Sequence, residues 1–129
     1  MALPIDFITR TRALLGDEYE KLEAALQADV PVSIRINQEK GTKAPETSPV
    51  GWSKTGYYLP ERLSFTFDPL FHAGAYYVQE ASSMFLEQAI RNFVTEPVRC
   101  LDLCAAPGGK STHLLSTLPE GSLLVSNEV

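Results

Sequence analysis

The chain has 129 residues, 44% hydrophobic and 21% charged, with a net charge of -5 and a pI near 5.0. This is the composition of one modest globular domain rather than a disordered chain. No apolar run approaches the roughly 20 residues of a membrane span, and "MALPIDFITRTR" lacks the basic-then-apolar order of a signal peptide, so a cytoplasmic location without membrane contact is expected.

Residues 4–28 carry Ile5, Ile8, Leu14, Leu15, Leu22 and Leu26 at helical spacing interrupted by Gly16, which predicts two helices. Asp17 and Glu20 have the spacing of a capping box opening the second, whose apolar stripe should face a core. "PVSIRIN" then alternates Val32, Ile34 and Ile36 against Ser33, Arg35 and Asn37, a strand with one buried face. Residues 39–53 read as an exposed loop, and "GYYL" and "LSFTF" as short strands. Together these predict a small α+β module over residues 1–68.

From residue 69 the texture changes. Ala81, Phe85, Ala89, Ile90 and Phe93 predict an amphipathic helix over 79–94, ended by Pro97. "VRCLDLC" is a strand, "AAPGG" a loop, "KSTHLLSTL" a helix and "SLLVSNEV" a second strand. Strand, glycine loop, helix, strand is the opening βαβ unit of a doubly wound α/β sheet, here residues 69–129.

Three ligands compete for the loop. Gly109-Lys110-Ser111 reproduces the ending of a phosphate-binding P-loop, but Cys104 stands where that motif needs its first glycine, and Pro107 removes an amide. The dinucleotide fingerprint needs three glycines at fixed offsets, which Gly108 and Gly109 alone do not meet. The third reading is a nucleoside without a phosphate chain. Ala105, Ala106, Gly108 and Gly109 let a ligand lie close to the backbone, and Glu128 ends the second strand where a carboxylate accepts ribose hydroxyls. S-adenosylmethionine meets both conditions. A tight turn with a solvated Glu128 is the alternative without a ligand.

At these residues the sequence resembles a known family. "LDLCAAPGGKSTHL" resembles motif I of the NOL1/NOP2/Sun RNA (cytosine-5) methyltransferases, and "YYVQEASSM" resembles the segment preceding it. "LLGDEYEKLEAAL", "SIRINQEKG" and "GYYLPER" are similar to that family's N-terminal module. The resemblance implies a class I, Rossmann-like enzyme that methylates carbon 5 of cytosine in RNA using S-adenosyl-L-methionine. Cys104, Ala105, Ala106, Pro107, Gly108, Gly109 and Lys110 would form the cofactor loop, Glu128 would hold the ribose, and Asp102 is a weaker candidate for orienting the loop. The N-terminal module favours ribosomal over transfer RNA as partner.

Cytosine carbon 5 becomes nucleophilic only after a thiolate adds at carbon 6. In the family the two working cysteines lie in proline-cysteine and threonine-cysteine motifs, and neither occurs here. Cys100 and Cys104, four apart without His or Cys partners, match no metal site and receive no catalytic role. The chain is therefore expected to be an inert N-terminal piece of a longer enzyme, and its acidic pI says little about the RNA-binding surface of the whole. A non-catalytic RNA-binding or interaction module is the rival reading, and a P-loop ATPase the third.

His72 and His113 read as packed or surface histidines, and Trp52, Tyr57, Tyr58, Tyr76 and Tyr77 as packing groups rather than base-stacking platforms. Arg10, Arg12, Arg35, Lys40, Lys43 and Lys54 read as solvated, with an RNA-facing patch the alternative. Lys110 is expected to face cofactor or RNA, because a helix start by itself favours an acid.

Overall fold

The structure, a computed structural model, describes residues 3–129. Its contacts divide the chain into two compact units, residues 1–30 and 31–129. In the first, α1 (Ile5–Leu15) ends at Gly16, whose φ of 54° leaves the helical region. A 3-10 turn (Gly16–Glu18) leads into α2 (Tyr19–Gln27). The expected capping box does not form: Asp17 lies within the turn, Glu18 is the N-cap residue, and Glu20 instead accepts from Arg12 at 3.0 Å. Arg12 also lies 4.5 Å above the Tyr19 ring. The apolar stripe is largely open, with Leu26 51% exposed.

The second unit begins with a three-stranded antiparallel sheet in the order β2-β1-β3, from β1 (Val32–Ile36), β2 (Gly56–Leu59) and β3 (Tyr76–Val78). β1 departs from the alternation expected of it. Ser33 and Arg35 are buried along with Ile34 and Ile36, so both faces are covered. The 39–53 segment is mostly open but hides Val50, which is 1% exposed. "LSFTF" is not a strand: Phe65–Phe67 form a 3-10 turn ahead of a one-turn helix, α3 (Pro69–His72). Asp68 caps that helix by accepting from the Leu70 amide at 2.8 Å, and Pro69 supplies the fixed φ of a first helical residue.

The long helix predicted over 79–94 is shorter. Ser82–Phe85 are 3-10, and only α4 (Leu86–Phe93) is α-helical. The buried residues are Gln79, Met84 and Glu87, whereas of the predicted apolar stripe Phe85 and Phe93 are 59% and 85% exposed and Ala81 and Ile90 are half-buried. Gly56 of β2 meets this region closely: a Cβ there would lie 2.5 Å from Met84 Sδ and 3.0 Å from Val50 Cβ. Gly56→Ala is expected to destabilise the chain by about 1–3 kcal/mol through overpacking, measured by chemical denaturation. An unchanged midpoint would show that Met84 yields freely.

The last elements are β4 (Arg99–Asp102), α5 (Gly109–Thr117) and β5 (Leu123–Ser126). β4 and β5 pair in parallel, with Leu101 opposite Val125 and Asp102 opposite Ser126, and α5 lies between them in sequence. The described residues form a mixed α/β chain with two small sheets. Leu101, Leu123 and Val125, on one face of the parallel pair, are 50% exposed or more. Among the described residues no helix is long and apolar enough to cross a membrane.

Candidate cofactor-binding site

The loop between β4 and α5 is built from its backbone. The Cys104 amide faces Asp102 Oδ1 at 3.3 Å, the Ala105 amide donates to the Asn127 carbonyl at 2.9 Å, and the Ala106 amide donates to Glu128 Oε2 at 2.8 Å. The Gly108 amide donates to the Ala105 carbonyl, closing the turn. Ala106–Pro107 is cis. Gly108 sits at φ 99° with open space where a Cβ would stand, so an approaching ligand meets backbone there.

This pattern bears on the choice between phosphate and nucleoside. A phosphate cradle turns successive amides toward an anion. Here the amides of 104, 105, 106 and 108 are engaged, two of them by carboxylates that would repel an anion. Glu128 is held below the usual carboxylate range, chiefly by the Ala106 amide and then by that of Val129, so it is an ionised acceptor at neutral pH. An exposed carboxylate beside a bare glycine turn can accept from hydroxyl groups and would repel a polyphosphate.

Asp102 bridges the loop and the helix. Its Oδ2 accepts from Ser111 Oγ at 2.6 Å, and Ser111 in turn accepts from Ser126 of β5 at 3.0 Å. Lys110 is exposed and lines a cleft of about 200 Å³. Loop residues Cys104–Pro107 and Gly109 form one wall of that cleft, and Tyr77, Gln79, Glu80 and Ser83 the other. Cys104 is exposed and Cys100 half-buried, and both thiols are free. Among the described residues no three His, Cys, Asp or Glu side chains gather as a metal site.

Several side chains that sequence reasoning treated as bland hold this region together. Arg35, expected at a solvated face, is 4% exposed and donates to Gln79 Oε1 at 2.9 Å and Thr112 Oγ1 at 2.6 Å. Tyr77 donates to the Pro107 carbonyl at 2.9 Å. Tyr76 donates to Asp68 at 2.6 Å, and burial together with that carboxylate pushes its phenol up to about 12. Trp52 donates to the Ala81 carbonyl at 2.6 Å and meets Phe85 edge-on, so it packs rather than offering a free face. His72 is exposed and bonds the Thr66 carbonyl.

His113 is 1% exposed and lies 3.3 Å from Glu87, itself 2% exposed. Burial alone would raise Glu87, but Ser53, Arg91, the Lys54 amide and His113 all bond it and together hold it below its ordinary value. Burial, then the nearby Arg35 charge, lowers His113, outweighing Glu87. Both shifts act in one direction. Below the ordinary histidine value of 6.5 the unfolded chain takes up a proton that the folded one refuses, and below 4.5 the same holds for Glu87. Stability is therefore expected to be full above about pH 7.5 and to fall as pH drops through 6.5 and again through 4.5. Calorimetry on His113→Gln should show the upper part of the fall removed; a melting temperature that stays constant from pH 8 to about pH 5 contradicts the assignment.

Comparison with known proteins gives a consistent picture. Residues 3–81 match the family model for the N-terminal domain of 16S rRNA methyltransferase RsmF. Ribosomal RNA small subunit methyltransferase F of Pectobacterium atrosepticum is 30% identical over 145 residues, covering 98% of this chain and 30% of the relative. The protein of the same name from Escherichia coli O1:K1 is 31% identical over 142 residues, covering 97% and 29%. A methyltransferase homologue protein from Pyrococcus horikoshii, of solved structure, superposes with a TM-score of 0.72 at 27% identity, covering 97% of this chain and 44% of that one. The chain thus spans about 30% of the length of the curated relatives it matches.

Proposed function

Because the chain belongs to the RsmF family of 16S rRNA methyltransferases, within the NOL1/NOP2/Sun group, we propose that it is the N-terminal piece of an S-adenosylmethionine-dependent RNA (cytosine-5) methyltransferase acting on ribosomal RNA in the cytoplasm. Residues 69–129 are the first part of its Rossmann-like domain, with β3 linking that part to the sheet of the preceding module. The observation that carries the reading is the Glu128 carboxylate seated on the Ala106 amide of a bare glycine turn.

Cys104 through Gly109 would hold the cofactor against the backbone, Glu128 would accept its ribose hydroxyls, and Asp102 would keep the loop at the start of α5 through Cys104 and Ser111. When bound, S-adenosylmethionine supplies an electrophilic methyl group. Lys110, at the rim of the cleft, adds positive charge where a helix N-terminus is already favourable for an electron-rich group. The nucleophilic thiol is not assigned within these residues. Cys104 belongs to the loop, and Cys100 is the small half-buried group of a strand. The exposed Leu101, Leu123 and Val125 support the presence of further structure over that face of the sheet in the whole enzyme.

A thermal-shift comparison of the full-length protein separates the readings. S-adenosylhomocysteine at 100 times its Kd is expected to stabilise by about 2.7 kcal/mol, and ATP not at all. Stabilisation by ATP alone would overturn the proposal in favour of a nucleotidase, and stabilisation by neither would favour a non-catalytic module.

A further inference from the structure

Arg35 and Tyr77 are direct partners in the β1–β3 pairing, so their side chains leave the same face of the sheet. Both reach the junction of loop and α5. Tyr77 donates to the Pro107 carbonyl at 2.9 Å, and its ring lies so close to Gly109 that a Cβ there would meet Cε1 at 3.2 Å. Arg35 Nη2 donates to Thr112 Oγ1 at 2.6 Å and approaches the Gly109 carbonyl at 3.5 Å, while its Nε donates to Gln79, two residues beyond Tyr77. Thr112 passes the restraint on by donating to the Gly108 carbonyl at 2.8 Å. Two of the loop's carbonyls and its one positive-φ glycine are thereby tied to the small sheet.

We propose that the cross-strand pair Arg35–Tyr77 is the positioning element of the cofactor loop, so that the N-terminal sheet presets the turn into which the nucleoside binds. This rests on the assignment of the loop to S-adenosylmethionine. It also gives the buried polar face of β1 a purpose: a buried arginine is costly unless its donors are satisfied, and here the partners that satisfy it are Gln79, just past the end of β3, and Thr112 on α5, beside the loop. Both act through the backbone of residues 107–109.

The test uses Tyr77→Phe, which keeps the ring and loses one donor, and Thr112→Val, which leaves buried Arg35 in place with its Gln79 acceptor and removes its acceptor on α5 beside the loop. Amide hydrogen exchange on the 129-residue chain is expected to rise selectively at Gly108 and Gly109 in both variants, with the β1–β2 amides unchanged. In the full-length protein, the Kd for S-adenosylhomocysteine is expected to weaken roughly 3- to 10-fold, the value of a single hydrogen bond. Wild-type affinity together with wild-type exchange at 108–109 in both variants would overturn the proposal. Uniformly faster exchange across the chain would also overturn it, reducing the pair to a fold-stabilising contact. Failure of the unmodified protein to bind S-adenosylhomocysteine would instead overturn the cofactor assignment beneath it.

Discussion

Glu128→Ala is expected to weaken binding of S-adenosylhomocysteine to the full-length protein by roughly 10- to 100-fold, the range for losing a hydrogen bond to a charged acceptor. The substitution removes two things together: the acceptor of the Ala106 amide at 2.8 Å, and the proposed acceptor of the ribose hydroxyls, whose other oxygen also takes the Val129 amide at 3.1 Å. Glu128→Gln should lose less, since one carbonyl oxygen can still accept while its amide faces the wrong way. Titration calorimetry reads both. Equal affinity in wild type and Glu128→Ala would mean that the ribose lies elsewhere and that Glu128 is only a brace for the loop.

Glu87→Ala should be the most damaging substitution to the chain's own stability, by about 3 kcal/mol or more. Its carboxylate accepts from Ser53 Oγ, the Lys54 amide, Arg91 Nε and His113 Nε2 at 2.7–3.3 Å, joining the 53–54 turn to α4 and α5. Truncation leaves these donors facing a cavity, and the imidazole, whose Nδ1 lacks a partner among the described residues, loses the bond from its Nε2. Arg91, whose side chain is 38% exposed, turns to water, which places the expected cost near the lower end for a buried pair. Urea denaturation measures it; a loss below about 1 kcal/mol would show that water fills the site without penalty.

The strand, loop and helix around the glycines were legible because each announces itself locally. Apolar residues run into Asp102, small residues and two glycines follow, and Ser111 to Leu115 resume a helical rhythm. Glu128 was expected at the end of the second strand; it lies two residues beyond β5 and reaches the loop at the Ala106 amide, while its ribose role stays part of the proposal. Arg35 was not. An arginine between two isoleucines reads as the wet side of a strand, and its partners Gln79 and Thr112 lie 44 and 77 residues away. Glu87 was hidden for a related reason, because the amphipathic pattern over 79–94 directs attention to Phe85 and Phe93, which are exposed, while the buried positions are Gln79, Met84 and a carboxylate. Asp17 had capping chemistry but was drawn into a 3-10 turn, leaving Glu20 to pair with Arg12. Tyr77 lay inside the segment that resembles the family, yet nothing local distinguishes it from Tyr76, which turns instead to Asp68.

The decisive measurement is methyl transfer from labelled S-adenosylmethionine to 16S ribosomal RNA, with the modified nucleoside identified by mass spectrometry. The full-length protein carrying these residues is expected to form 5-methylcytidine, and the 129-residue chain alone to form none. Methylation by the isolated chain, or a full-length product methylated anywhere other than carbon 5 of cytosine, would contradict the assignment.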